Sequence, residues 1–178
     1  SIEGQPQQQS QNILVGLISS EYPQTMGIAL RSGRSFEDVE VARAQPVALV
    51  NESAAKLLPP GTSPIGRRIR LDVLEKPTPT TPLPANISPF VTIVGVLADT
   101  RNAGRLNPPA PQVYVPYTLL AAATRTLALR TETSPMLLVN AVRERVRRID
   151  SSQPFSRVVS LDDVVGAEIV QPRFNAAL

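Results

Sequence analysis

The residues able to do chemistry in this 178-residue chain are few. There is no His and no Cys. A Ser–His or Cys–His nucleophile pair and a conventional zinc site are therefore excluded from this chain alone. What remains is carboxylates, arginines and one glycine-spaced loop. Glu37, Asp38 and Glu40 cluster tightly enough to suggest a metal. Their spacing is not that of a calcium loop, and a solvated acidic loop is the plainer reading. Asp99 follows a strand-like run, where a general base could sit. No nucleophile or second acid stands at a readable spacing, so a turn-capping carboxylate, with Arg101 as partner, is favoured. Gly61-Thr62-Ser63-Pro64-Ile65-Gly66 has the glycine spacing of a phosphate loop. Arg67-Arg68 stands where Lys and Ser/Thr would hold phosphate and Mg²⁺, and Pro64 removes an N–H from the cradle. Arg143, Arg145, Arg147 and Arg148 crowd one helical stretch. They could bind phosphates, but a solvated face near a negative helix end explains them too. Asn51-Glu52-Ser53 and Asn86-Ile87-Ser88 match glycosylation sequons, a short pattern with many chance matches.

Composition sets the same limits. Lys plus Arg is 18 against 15 acidic residues, a net charge of +3 that does not demand nucleic acid. Aromatic residues are 4% with no Trp, which argues against a base-stacking platform. At 42% hydrophobic the chain can bury a core, and its 18 prolines predict many proline-set turns. The strongest apolar stretch, Val91 to Ala98, is too short to span a bilayer.

The stretch from Pro46 to Leu71 organises the chain. Val47 to Val50 is a short apolar run, and Asn51 can cap the helix predicted over Glu52 to Leu58. Pro59-Pro60-Gly61 stops it. Gly66 follows a proline turn at a point where positive φ is expected. Ile69 and Leu71 then alternate with Arg68 and Arg70, a strand with one wet face. Before this unit, Ser1 to Gln11 is expected to be a polar tail or loop and Ile13 to Ile18 a strand. Ser20 caps a short helix ending at Gly27, a segment turns at Gly33, and Phe36 anchors a loop. After it, Leu74 to Pro89 is a proline-rich loop. Phe90 to Ala98 is the strongest strand of the chain. Gln112 to Tyr117 is a strand with Val113 and Val115 on one face and Tyr114 on the other.

Further along, Arg125 to Glu132 alternates, with Leu127 and Leu129 expected inward. Ser134-Pro135 starts a helix to about Asp150, with Val139, Val142, Val146 and Ile149 as its buried stripe. Pro154 to Ser160 is expected as a strand. Ser160 caps a last helix, whose apolar side is Leu161, Val164, Val165 and Ile169 and which Pro172 ends.

Together these words resemble the extracytoplasmic core domain of MacB-like and FtsX-like ABC permeases, in particular the duplicated orphan permeases of acidobacteria. The resemblance rests on Ser20-Glu21-Tyr22, Thr25-Met26-Gly27-Ile28, Gly33-Arg34-Ser35-Phe36 and Val50-Asn51-Glu52. It continues with Pro64-Ile65-Gly66-Arg67-Arg68-Ile69, Thr92-Ile93-Val94-Gly95-Val96 with Asp99, Val113-Tyr114-Val115-Pro116-Tyr117 and Pro172-Arg173-Phe174-Asn175. The set keeps the family order over most of residues 19–178. Leu58, Ser63 and the long 75–89 loop depart from the family pattern.

The resemblance implies an α+β fold. A porter-like part would comprise residues 1–30 and 105–178, with a β-rich Sabre-like part, residues 31–104, inserted. It implies no catalytic, cofactor-binding or metal-binding residue and no cofactor. The domain would lie on the periplasmic or extracellular side of the cytoplasmic membrane. It would transmit conformational change driven by a cytoplasmic ABC ATPase, with a second permease half or a periplasmic protein as further partner and no nucleic acid. Chain beyond Leu178 and before Ser1 would carry the membrane spans, with Arg173 at the membrane surface. The competing reading is a soluble ligand- or nucleic-acid-binding domain that uses the Arg143–Arg148 helix.

Overall fold

The computed structural model describes residues 13–75, 87–101, 107–122, 124–155 and 157–165. Two compact units divide between Ala128 and Leu129.

The first unit is built on one six-stranded mixed sheet. Its elements in order are β1 (Leu14–Ile18), α1 (Tyr22–Met26), β2 (Leu30–Gly33), α2 (Asp38–Ala42), β3 (Val47–Asn51), α3 (Glu52–Ala55), β4 (Arg68–Arg70), β5 (Phe90–Leu97) and β6 (Gln112–Pro116). The strand order is β1-β6-β3-β5-β2, with β4 also on β5. β3 pairs β5 in parallel and β6 antiparallel. β1 pairs β6 in parallel. On the other side of β5, β4 runs antiparallel along Phe90–Thr92 and β2 along Gly95–Leu97. The fold is thus α+β, and strands from both expected parts share the one sheet.

The central strands are those with unbroken apolar runs, as burial on both faces requires. All five residues of β3 are buried. Alternation splits the core in two. Ala48, Val50, Val91, Ile93, Val113 and Val115 pack on one face with Ile69, Leu71 and Leu74. Val47, Leu49, Leu97 and Tyr114 pack on the other with Ile18, Phe36 and Val41. Tyr114 thus faces away from Val113 and Val115, as the period-2 pattern predicts.

Two glycines let β2 and β5 meet. Gly33 has φ +73°, and a Cβ on it would lie 2.3 Å from the Val94 carbonyl oxygen. A Cβ on Gly95 would lie 2.2 Å from the Arg34 carbonyl oxygen. Nothing but glycine fits at this crossing. The organising turn behaves as expected: Gly66 has φ +82°, and its N–H donates to the Ile93 carbonyl at 2.8 Å.

The second unit contains a short 3-10 helix, Pro135–Leu138, continuing into α4 (Val139–Ile149), and residues 161–165 are helical. Three expectations fail here or at the junction before it. Residues 125–132 form no strand, and Leu127 and Leu129 are 64% and 54% exposed. The described residues of 154–160 form no strand either, and Val158 and Val159 are exposed. On α4 the stripe is only half-buried at Val139, Val142 and Val146, and Ile149 is 79% exposed. Alternation and helical spacing each mark an apolar face, but only a covering layer buries it. Ser134 and Pro135 do start the helix, and Ser160 Oγ does accept from the Asp163 N–H at 3.0 Å. Leu161, Val164 and Val165 are exposed, and Ile169, Pro172 and the residues to Leu178 lie outside the described residues.

Candidate functional site

The polar side chains of the first unit converge on two places. The first joins the start of α3 to the end of β5 and the start of β6. Asn51 ends β3 and caps α3. It is 0% exposed. Its Oδ1 accepts from Ala54 N–H at 2.9 Å and Gln112 N–H at 2.8 Å, and its Nδ2 donates to the Ala110 carbonyl at 2.9 Å. One side chain therefore fixes three backbone groups from two distant segments. This burial removes Asn51 as a glycan acceptor in the folded chain.

Next to it, Ser53 gives its N–H to Asp99 Oδ1 and its hydroxyl to Asp99 Oδ2, both at 2.8 Å. The Asp99 N–H returns a bond to Glu52 Oε2 at 3.2 Å, and Glu52 Oε1 meets Arg31 Nε at 3.4 Å. Asp99 is a capping carboxylate, as the sequence favours, but what it caps is the start of α3 at Ser53 rather than the turn that follows β5. Both oxygens of this carboxylate are engaged at the start of α3. With no imidazole beside it, it is a poor activator of a hydroxyl.

The second place lies at the β2–α2 corner. Arg34 forks onto Glu40, with Nη1–Oε2 at 2.8 Å and Nη2–Oε1 at 2.7 Å. The Glu37 N–H donates to Glu40 Oε2 at 2.9 Å, completing a reciprocal cap at the start of α2. Glu40 is 5% exposed. The Arg34 hydrogen bonds, helped by the Glu37 N–H, hold its carboxyl below the ordinary range against the opposing effect of burial. Asp38 accepts from Ser20 Oγ at 2.5 Å. Ser20, expected to cap α1, thus serves α2 instead, and Glu21 precedes α1 without a side-chain cap. Among the described residues no three acidic side chains gather as a metal site. Glu37 and Glu40 are instead spent on a helix cap that the sequence reading missed. The one available signal was a carboxylate three residues into a possible helix. Glu37 is an uncommon N-cap residue, which hid it.

Tyr114 and Tyr22 stack obliquely with ring centroids 6.4 Å apart. Burial first, and the neighbouring Tyr114 second, push the Tyr22 hydroxyl pKa upward. The glycine-spaced 61–66 loop is a pair of turns, and the Thr62 N–H donates to the Pro59 carbonyl at 3.2 Å.

In the second unit, the arginine helix is partly self-occupied. Arg143 donates to Asn140 Oδ1 at 3.1 Å and lies 5.5 Å from the Phe155 ring centroid, while Arg148 donates to Glu144 Oε1 at 3.3 Å. Arg145 and Arg147 face solvent. No helix among the described residues is long and apolar enough to cross a membrane.

The carboxylates of both clusters in the first unit are thus engaged by backbone N–H groups, by the Ser20 and Ser53 hydroxyls and by Arg31 and Arg34. Residues 2–163 match the family described as the MacB-like periplasmic core domain, and the chain belongs to that family. Among solved structures, it is similar to the periplasmic region of MacB from Actinobacillus actinomycetemcomitans, at 17% identity and TM-score 0.49 over 76% of this chain and 56% of that one. It is also similar to the extracellular domain of the noncanonic ABC-type transporter YknZ from Gram-positive bacteria, at 15% identity and TM-score 0.45 over 79% and 66%. The chain thus spans a little over half the length of the first. No protein with a curated description matches it.

Proposed function

We propose that the chain is the non-catalytic extracytoplasmic domain of an ABC-type permease, passing ATP-driven conformational change to a substrate or partner protein outside the cytoplasmic membrane. Family membership over residues 2–163 carries this reading. The polar clasps support it, because a domain that transmits movement needs its elements tied firmly to one another. In this reading the ATPase is a separate cytoplasmic subunit or domain, joined through membrane spans outside this chain. A second permease half or a periplasmic protein is the further partner. Residues 1–30 and 105–178 form the porter-like part and 31–104 the Sabre-like insertion. The duplicated orphan type of permease is the subclass proposed. No residue is given a catalytic, cofactor or metal role.

The test is made on the product of the complete gene, expressed in cells whose outer barrier is then removed. Added protease should cut this domain while leaving a cytoplasmic marker whole, and the uncut protein should sediment with membranes. Recovery in the soluble fraction would overturn the assignment. Micromolar, salt-dependent RNA or DNA binding that vanishes when Arg145 and Arg147 become Gln would replace it with the nucleic-acid reading.

A further inference from the structure

Residues 35–45 join β2 to β3 and carry α2. Two kinds of bond hold them. The backbone bonds stay inside the segment. The Glu40 and Val41 N–H groups donate to the Glu37 carbonyl at 3.0 and 3.1 Å, Arg43 to Val39 at 3.0 Å, Ala44 to Val41 at 3.2 Å and Gln45 to Glu40 at 2.9 Å. The ties to α1, β2 and β6 are side-chain bonds at separate points. Arg34, at the end of β2, forks onto Glu40. Ser20 Oγ donates to Asp38, and Ser35 Oγ donates to the Ser20 carbonyl at 3.4 Å. Thr118 Oγ1 donates to the Val41 carbonyl. Thr118 lies in the 3-10 turn Tyr117–Leu119 after β6, on the stretch of chain that leads to the second unit.

The two ends of the segment differ. At Arg34 the chain is pinned beside the glycine crossing, where the Arg34 N–H donates to the Val94 carbonyl at 3.0 Å. At the other end, where Val47 N–H donates to the Gln45 carbonyl at 2.8 Å, Ala44 has φ +50°. That left-handed region is costly for a residue with a Cβ. The Ala44 and Gln45 N–H bonds are the pair that ends a helix in this geometry, usually with Gly at the left-handed position. Ala44 therefore keeps the closed turn under strain, which opening of α2 relieves. A five-residue helix does not persist by itself, so α2 depends on its ties. Phe36 and Val41 are the apolar side chains that the segment buries. So little apolar contact marks a region that opens at lower free energy than the whole fold.

We propose that residues 35–45 are a strap that leaves the sheet face as one piece, turning at Arg34 and Ala44, while β3, β5 and β6 stay paired. The Arg34–Glu40 fork and the Thr118–Val41 bond are its latches. Internal backbone bonds make the strap move together, and point ties let it leave without breaking a ladder. Its release uncovers Leu49, Leu97 and Tyr114, the residues with which Phe36 and Val41 pack. The strap and its latches belong to the sheet unit alone and stand whether or not the chain transmits transport.

Amide exchange of the folded 178-residue chain, resolved by residue at low urea concentrations, tests it. The Val41, Arg43 and Gln45 amides should share one opening equilibrium, less steep in urea than that of the β3–β5 and β3–β6 ladder amides. Val113→Thr weakens the ladders, so their amides should exchange about tenfold faster while the three strap amides keep the wild-type rate. Thr118→Val removes a latch and should speed all three strap amides by one common factor of about fivefold, whereas Thr118→Ser keeps the hydroxyl and the wild-type rate. Ala44→Gly relieves the strain and should slow the same three amides about threefold or more. Strap amides that follow the ladder amides, in urea slope or under Val113→Thr, overturn the proposal, because the segment would then open only with the whole fold. Unequal responses of the three amides to Thr118→Val overturn it as well, since the helix would be fraying rather than leaving as a piece. Exchange unchanged by both Thr118→Val and Ala44→Gly would remove the latch and the strained turn together.

Discussion

The first unit, through Ala128, and the second, from Leu129, use similar sequence material to different ends. In the first, apolar runs become strands whose both faces are covered, and even Asn51 and Glu40 are buried with every polar atom matched. In the second, no residue of the 3-10 segment or of α4 is buried. Its polar bonds are local as well: Asp150 accepts from Ser152 and Gln153, two and three residues on, and these bonds lower its carboxyl pKa. In the first unit Asn51 reaches Ala110 and Gln112, and Ser53 reaches Asp99. Long-range polar bonds tie the fold of the sheet unit together, whereas bonds within a turn or helix can persist without tertiary structure. The sheet unit should therefore be intolerant of small changes that the second unit accepts.

The largest effect is expected at the glycine crossing. Gly95→Ala drives a Cβ against the Arg34 carbonyl, backbone on backbone, with no side chain able to yield. A loss of about 3–4 kcal/mol is expected from urea unfolding. A midpoint within error of wild type would mean that β2 moves freely off β5, and the sheet unit would not be the rigid half.

The next effect is a pH dependence. Glu40 has a lowered pKa in the fold, so between its folded and unfolded values the unfolded chain binds more protons, and stability rises with pH. Its contribution is fully present above the ordinary carboxyl value of about 4.3 and is lost as pH falls through the lower folded value. Glu40→Gln should cost about 1–2 kcal/mol at neutral pH, a modest sum because Arg34 is half exposed, and should flatten the acid limb of the stability curve. An acid limb identical to wild type would show that the Arg34–Glu40 fork is idle.

Sequence legibility divides along the same line. β3, β5 and β6 were readable because continuous apolar runs bounded by turn residues have few other uses. The Asn51 cap and the positive φ of Gly66 were readable because each depends on neighbours within a few positions. The burial of Glu40 was not, since it needs Arg34 across a corner and a five-residue helix too short to show a period. Gly95 reads as an ordinary strand glycine until β2 is laid against it. The strands expected at 125–132 and 154–160 failed because alternation describes one strand, while a strand exists only with a partner. The polar clasp at Asp99 was half legible: a capping role for the carboxylate was clear, but the helix start it caps, at Ser53, lies 46 residues away.

The smallest effect makes the sharpest comparison, through one substitution made in both units. Val→Thr keeps shape and nearly keeps helix propensity, so it reports mainly whether a hydroxyl is being buried. Val113 on β6 is fully buried, and Val113→Thr should cost about 1–2 kcal/mol, because the new hydroxyl has no water and no partner. Val142 on α4 is half-buried, and Val142→Thr should cost under about 0.5 kcal/mol. Residue-resolved amide signals through a urea titration would read each unit separately. If Val142→Thr cost as much as Val113→Thr, the Val139, Val142 and Val146 stripe would be covered in solution by something as dry as the sheet core, and the contrast between the two units would fall. A small cost at Val142 alone would leave α4 as a helix whose apolar stripe water can reach.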